Sequence, residues 1–230
     1  MRIRNEEVRR NPMMNVNFRK RSGTGASILC LGAHSDDIEI GCGGTLLRLM
    51  NEWPDSDFTW VVFSASGRRR TEAKKSAGRF LKNAGRKDVR IHKFRDGFFP
   101  YEGGRIKEYF ERLKMEITNP DLILTHSRHD LHQDHRLISE LTWNTFRDHL
   151  ILEYEIFKYD GDLGTPNFYV QLNEDTCAKK IEIIRACFDT QKEKVWFSED
   201  AFRSILRIRG IESNSPSGYA EAFYGRKITF

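Results

Sequence analysis

The chain has 230 residues, with 38 Lys and Arg against 33 Asp and Glu and a formal net charge of +5. That length fits a single hydrophobic core, since chains tend to split into domains beyond roughly 250 residues. No run approaches the roughly 20 apolar residues of a membrane span. The basic residues are dispersed among nearly as many acidic ones and no binding module is recognisable, so the nucleic-acid reading that Arg68, Arg69 and Arg70 invite is set aside.

Residues 1–24 are basic and polar and lack the apolar stretch of a secretory signal, so they read as a mobile arm ahead of one domain over 25–230. Met13 and Met14 leave a later natural start open. The four cysteines, Cys30, Cys42, Cys177 and Cys187, form no C-x-x-C pair, and Cys30 lies in an apolar run where a buried thiol is ordinary. A reducing, cytoplasmic setting is expected. The number of chains in an assembly stays open, a homo-oligomer included.

From residue 27 strands and helices alternate. Ser27 to Ala33 reads as a strand, and Gly41 to Glu52 as a helix with Leu46, Leu47, Leu49 and Met50 at helical spacing. Strands are expected again at Phe58 to Ser64, Val89 to Phe94 and Asp121 to Thr125. Helices are expected through Ala84, from about Ile106 to Ile117, and from Arg136 to Leu150. This order argues for right-handed β-α-β units and a mostly parallel sheet covered on both faces, a Rossmann-like α/β three-layer sandwich. After Tyr154 the pattern loosens, with helices at Thr176 to Phe188 and Glu199 to Arg209, and the C-terminal third reads as an irregular cap on the same domain.

Two clusters carry chemistry. Ala33-His34-Ser35-Asp36-Asp37 follows the first strand, where a histidine and two carboxylates are costly to bury without partners. A plain helix N-cap accounts for one aspartate but not for the set. The second cluster, His126 to Arg136, holds four of the seven histidines and follows the fourth strand. In the common doubly wound order those two strands are neighbours, and the crevice between their carboxyl ends is where ligands bind.

A catalytic zinc wants three nitrogen or oxygen ligands and an open fourth position, and His34, Asp37 and His135 supply such a set; another divalent metal would suit it too. Asp36 is then left facing the water position as candidate general base. His132 can stabilise an oxyanion. Asp134, counted with the catalytic group, and Asp130 can orient the imidazoles. The turn lacks G-x-G-x-x-G and sets acidic residues where a phosphate needs N–H groups, which argues against a nucleotide-binding module.

Ala-His-Ser-Asp-Asp followed by Gly-Cys-Gly-Gly-Thr, with the later Asp-Leu-His-Gln-Asp-His-Arg, resembles the LmbE/PIG-L family of zinc-dependent deacetylases, and Tyr219-Ala220-Glu221-Ala222-Phe223 extends the likeness towards the C-terminus. The resemblance implies an N-acetylglucosaminyl-type amide as substrate, zinc on His34, Asp37 and His135, Asp36 as base and His132 as the oxyanion group. It also points to Arg69 and Asp96 as substrate contacts, against the plainer reading of a solvated Arg run and a turn aspartate. One departure is Ser35, where the family pattern has proline; serine frees the local φ but removes no ligand. Phe98, Phe99 and Tyr101 are candidates for a sugar platform or for rim packing, and Tyr219 for the wall of the pocket. Hydrolysis of another amide or ester at the same metal, and a non-catalytic Rossmann-like binding module, are the competing expectations.

Overall fold

The computed structural model describes residues 25–228, so the expected N-terminal arm lies outside the described residues. The chain runs β1 (Ser27–Gly32), α1 (Asp37–Glu52), β2 (Asp57–Val62), α2 (Gly67–Phe80), β3 (Arg86–Ile91), α3 (Gly103–Glu116), β4 (Leu122–His126), α4 (Gln133–Thr145), β5 (Ile151–Tyr154), β6 (Phe168–Leu172), α5 (Glu174–Cys187), α6 (Glu199–Glu212) and β7 (Tyr219–Gly225). One seven-stranded sheet has the order β3-β2-β1-β4-β5-β7-β6. Its first five strands are parallel, and β7 runs antiparallel to both β5 and β6.

The apolar run of β1 is continuous because both its faces are covered. Ile28 and Cys30 face one core with α1, α2, α5 and α6, while Leu29 and Leu31 face the other with α3 and α4. All four are buried, which makes the expected three layers. The four cysteines are buried and free. No helix among the described residues is long and apolar enough to cross a membrane.

The C-terminal third does more than cap the sheet. It adds two strands to it, and it bolts onto α1 from behind. Glu221 of β7 accepts the backbone N–H groups of Gly44 (2.8 Å) and Thr45 (2.6 Å), and Lys180 of α5 pairs with Glu221 at 2.6 Å while donating to the Ile40 carbonyl. Gly44 has no side chain because a Cβ there would lie 2.4 Å from Leu172 and 3.0 Å from the Glu221 carboxylate. The glycines of the Gly-Cys-Gly-Gly-Thr run thus let the tail of the chain reach the α1 backbone.

Candidate metal and catalytic centre

Register decides the site. Ile28 pairs with Leu122 and Cys30 with Leu124, so the ends of β1 and β4 lie side by side and the turns that follow them face each other. The Ala33 N–H donates to Nε2 of His126 at 2.9 Å, joining the two turns where the sheet ends. This is the crevice between carboxyl ends at which the strand order reverses.

Three groups converge there. His34 Nδ1 lies 3.1 Å from His135 Nε2 and 3.4 Å from Asp37 Oδ2, and His135 Nε2 is 3.5 Å from the same oxygen. Tetrahedral ligands at about 2.0–2.1 Å from a zinc ion stand about 3.3–3.4 Å from one another, so this triangle has the size such an ion requires. The opposite nitrogens of both rings have carboxylate partners: His34 Nε2 is 3.2 Å from Asp134 Oδ2, and His135 Nδ1 is 2.8 Å from Asp130 Oδ2. Protons held on those outer nitrogens leave both inner lone pairs aimed at the centre. Two lone pairs and a carboxylate oxygen this close repel each other unless a proton or a metal cation lies among them.

The electrostatics agree. Burial and neighbouring His126 push His135 down to about 4, keeping its imidazole neutral at ordinary pH. For His34 burial is outweighed by Asp37, Asp134 and Asp96, so the three carboxylates favour a positive charge on this ring, and a metal ion would take the place of that proton. Asp37, although buried, is held well below the usual carboxylate range by His135, His126 and His34.

His126 was visible in the histidine cluster but had no expected role. It stacks on His135 at 3.9 Å and approaches Asp37 at 3.2 Å, and Asp37, His126 and His135 form one of three clusters of possible metal ligands among the described residues, the others being His34, His132 and His135, and His34, Asp96, His132 and Asp134. The His126 Nε2 lone pair, however, already accepts the Ala33 N–H. His126 is therefore a floor beneath the centre, whereas the inner nitrogens of His34 and His135, among the described residues, meet only each other and Asp37.

Asp36 is the N-cap residue of α1, yet its side chain makes no capping bond. Simple capping therefore does not explain it. Burial and then the adjacent Asp37 raise its proton affinity, with Arg69, His34 and Lys194 opposing. His132 begins α4, where its Nδ1 accepts the Asp134 N–H at 3.2 Å, which leaves Nε2 as the protonated, donating nitrogen. Its ring packs edge-on against His34 at 4.9 Å and stacks on His135 at 4.6 Å. Asp134 also accepts the backbone N–H groups of Gly97 (2.7 Å) and Phe99 (3.1 Å), tying the loop after β3 to α4.

The three arginines of α2 part company. Arg70 donates to the Ile91 carbonyl and Arg68 is exposed, while Arg69 turns inward to Asp96 (2.9 Å), Ser35 Oγ (3.1 Å) and Asp36 (3.6 Å). Asp96 in turn lies 3.1 Å from His34 Nε2. Ser35, in the place of the family proline, thus gives Arg69 an acceptor. Phe99 is buried against His34 at 5.9 Å and is packing, whereas Phe98 and Tyr101 are exposed. Tyr219 lies under the Arg207 guanidinium of α6.

A family model, PIG-L, described as GlcNAc-PI de-N-acetylase, matches residues 29–146, more than half of the chain. The chain belongs to the PIG-L family. Solved structures with the same fold include the N,N'-diacetylchitobiose deacetylase of Pyrococcus horikoshii, with TM-score 0.68 and 21% identity over 87% of this chain and 84% of that one. A zinc-inhibited form of the teicoplanin deacetylase Orf2 has TM-score 0.68 and 13% identity over 87% and 97%. A 4-carboxy-2-hydroxymuconate hydratase of Pseudomonas putida has TM-score 0.63 and 17% identity over 89% and 98%. At these identities the likenesses establish the fold alone. The PIG-L match spans both turns of the centre, from β1 to the end of α4.

Proposed function

We propose that this PIG-L family chain is a zinc-dependent hydrolase that removes acetyl from an N-acetylglucosamine-type amide, releasing acetate and a free amino sugar. The coarse class, a hydrolytic deacetylase of amino-sugar type, follows the family. The metal, its ligands and the residue roles are our reading. The observation that carries it is the convergence of His34 Nδ1, His135 Nε2 and Asp37 Oδ2, each histidine backed by a carboxylate. A hydratase shares the fold, so the fold by itself does not choose the reaction.

His34, Asp37 and His135 would hold the ion. When bound, a zinc ion lowers the pKa of water and polarises a carbonyl. The protein supplies the rest. Asp36 takes the proton from the attacking water and returns it to the departing amine; its raised proton affinity suits both directions. His132 offers its Nε2–H to the oxygen that gains charge as the carbonyl carbon becomes tetrahedral. Asp134 holds His34 and the loop after β3 in register. Arg69 and Asp96, paired with each other at the edge of the centre, present a cation and an acceptor to sugar hydroxyls.

The test is acetate release from a panel of free, nucleotide-linked, lipid-linked and glycopeptide-borne N-acetylglucosamine compounds. At least one should be hydrolysed, a chelator should abolish the release, and zinc should restore it. Simple acetamides should be far poorer, because binding to the ring contributes to the rate. A zinc-loaded enzyme that released no acetate from any of them would sink the reading.

A further inference from the structure

The two ligand histidines are backed differently. Asp134, behind His34, is fixed by two backbone N–H groups, those of Gly97 and Phe99. Asp130, behind His135, has one such donor, the His132 N–H at 2.8 Å on Oδ1. What completes its surroundings comes from another part of the chain. Lys158, in the connection between β5 and β6, sets its Nζ 3.0 Å from Asp130 Oδ1. The same ammonium donates to Asp162 Oδ2 at 2.5 Å and to the Ile156 carbonyl at 3.3 Å, so it bridges two carboxylates and a backbone carbonyl. Asp162 Oδ2 also accepts the Leu131 N–H at 2.7 Å, one residue beyond Asp130. Both side chains are largely buried, Lys158 at 12% and Asp162 at 5% exposure. An ammonium stripped of water in this way is retained only where its partners hold it in good geometry.

We infer that Lys158 is a positioning residue for the metal centre: from the β5–β6 connection it clamps Asp130 Oδ1, so that Asp130 Oδ2 holds His135 with Nε2 turned towards Asp37 and His34. The inference rests on the metal-centre reading above and adds to it that a segment beyond the two motifs governs one of the ligands. Without Lys158, Asp130 Oδ1 keeps only the His132 N–H, the carboxylate is held less firmly, and the orientation of the His135 ring loosens. The loop's seating and the ion's affinity are then two readings of one contact. A purely structural brace would instead change stability and leave the affinity of the folded protein alone.

The experiment titrates metal-free protein with zinc against a chromophoric chelator, for wild type, Lys158→Met, Lys158→Arg and Lys180→Met. The last removes a buried lysine bound to Glu221 and Ile40 and serves as the control for lost stability. Lys158→Met should weaken zinc binding about 10–100-fold, the usual effect of losing an outer partner of a metal ligand. Lys158→Arg, which keeps the cation, should recover most of the loss. Lys180→Met should melt earlier yet bind zinc as wild type does. The visible spectrum of the cobalt-substituted Lys158→Met protein should differ from wild type, because the His135 ligand is held less firmly. Should Lys158→Met fail to fold, Asp162→Asn, which loosens the ammonium without deleting it, should still lower the affinity. Wild-type affinity in Lys158→Met, or in Asp162→Asn where that variant is used, overturns the role of Lys158 and leaves the metal centre standing. A wild-type protein that takes up no zinc overturns the metal centre and this inference together.

Discussion

The parallel half of the sheet and the C-terminal third contribute to the centre in opposite ways. From β1 to α4, the proposed reacting groups sit within a few residues of each other in two turns, each following a strand directly. From β5 onward no residue joins the proposed metal triangle; one side chain reaches back to a carboxylate beside it, and others brace the helices around it. Lys158 meets Asp130, Glu221 meets the α1 backbone, and the Thr190 N–H and hydroxyl both donate to Glu72 of α2. Chemistry here is local in sequence, and the support for it is long-range. Substitutions in the first half should therefore remove function from a folded protein, whereas those in the second, Lys158 and its partner Asp162 apart, should lower stability first.

The sharpest break should come from the ligands. His34→Ala and His135→Ala should each lose most of the roughly one divalent ion per chain that three protein ligands imply. Metal analysis of the purified, folded variants checks this, and full occupancy in both would remove the triangle from consideration. Asp36→Asn should separate metal binding from catalysis. It should keep the ion while kcat falls about 10²–10⁴-fold, the scale of a lost general base. Near-normal turnover in a metal-loaded Asp36→Asn protein would move the proton-transfer role to another group.

For the other half, Glu221→Gln leaves Lys180, 3% exposed, without its carboxylate. Removing one partner of a buried ion pair costs about 3–5 kcal/mol. Urea unfolding should show a loss of that order, while turnover measured well below the melting temperature should stay close to wild type. A stable variant with collapsed turnover would contradict the division of labour between the halves.

The same division explains what the sequence made legible. The strand-helix alternation and both motifs were readable because periodicity and spacing are local, and the adjacency of β1 and β4 followed from the common strand order. Boundaries moved by a few residues: α4 begins at Gln133, not Arg136, because His132 caps it. Phe168–Leu172 passed unnoticed because four of its five residues are only half-buried and show no clear alternation. Lys158 carried no signal at all, being one lysine in a loop whose partner, Asp130, lies on a different turn. Glu221 stood inside a recognised stretch, Tyr219 to Phe223, but that stretch suggested a pocket wall, and its bond to Gly44 spans 177 positions. Arg69 was separable from Arg68 and Arg70 only by resemblance, since which arginine turns inward depends on the helical phase of α2 relative to Ser35 and Asp96.

The smallest effect concerns a second buried glutamate, and it sharpens the comparison with Glu221. Glu39, on α1, is fully buried in the parallel half and has no lysine like Lys180 beside it. Burial first, and then the charges of Asp36 and Asp37, push its carboxyl well above the ordinary range, and neither carboxyl oxygen has a hydrogen-bond partner among the described residues. The folded protein therefore keeps a proton on Glu39 that the unfolded chain releases above about pH 4.3. With more protons bound in the folded state, stability falls as pH rises, by about 1.4 kcal/mol per unit until the folded-state pKa is passed. Glu39→Gln carries a neutral side chain of the same shape and escapes this loss. Metal-free Glu39→Gln should match wild type near pH 4.5 in urea unfolding and become progressively the more stable protein towards pH 8. An unchanging difference between the two across that range would mean that Glu39 is ionised in the folded state, and that the parallel half, like the C-terminal third, provides its buried carboxylate with a compensating partner.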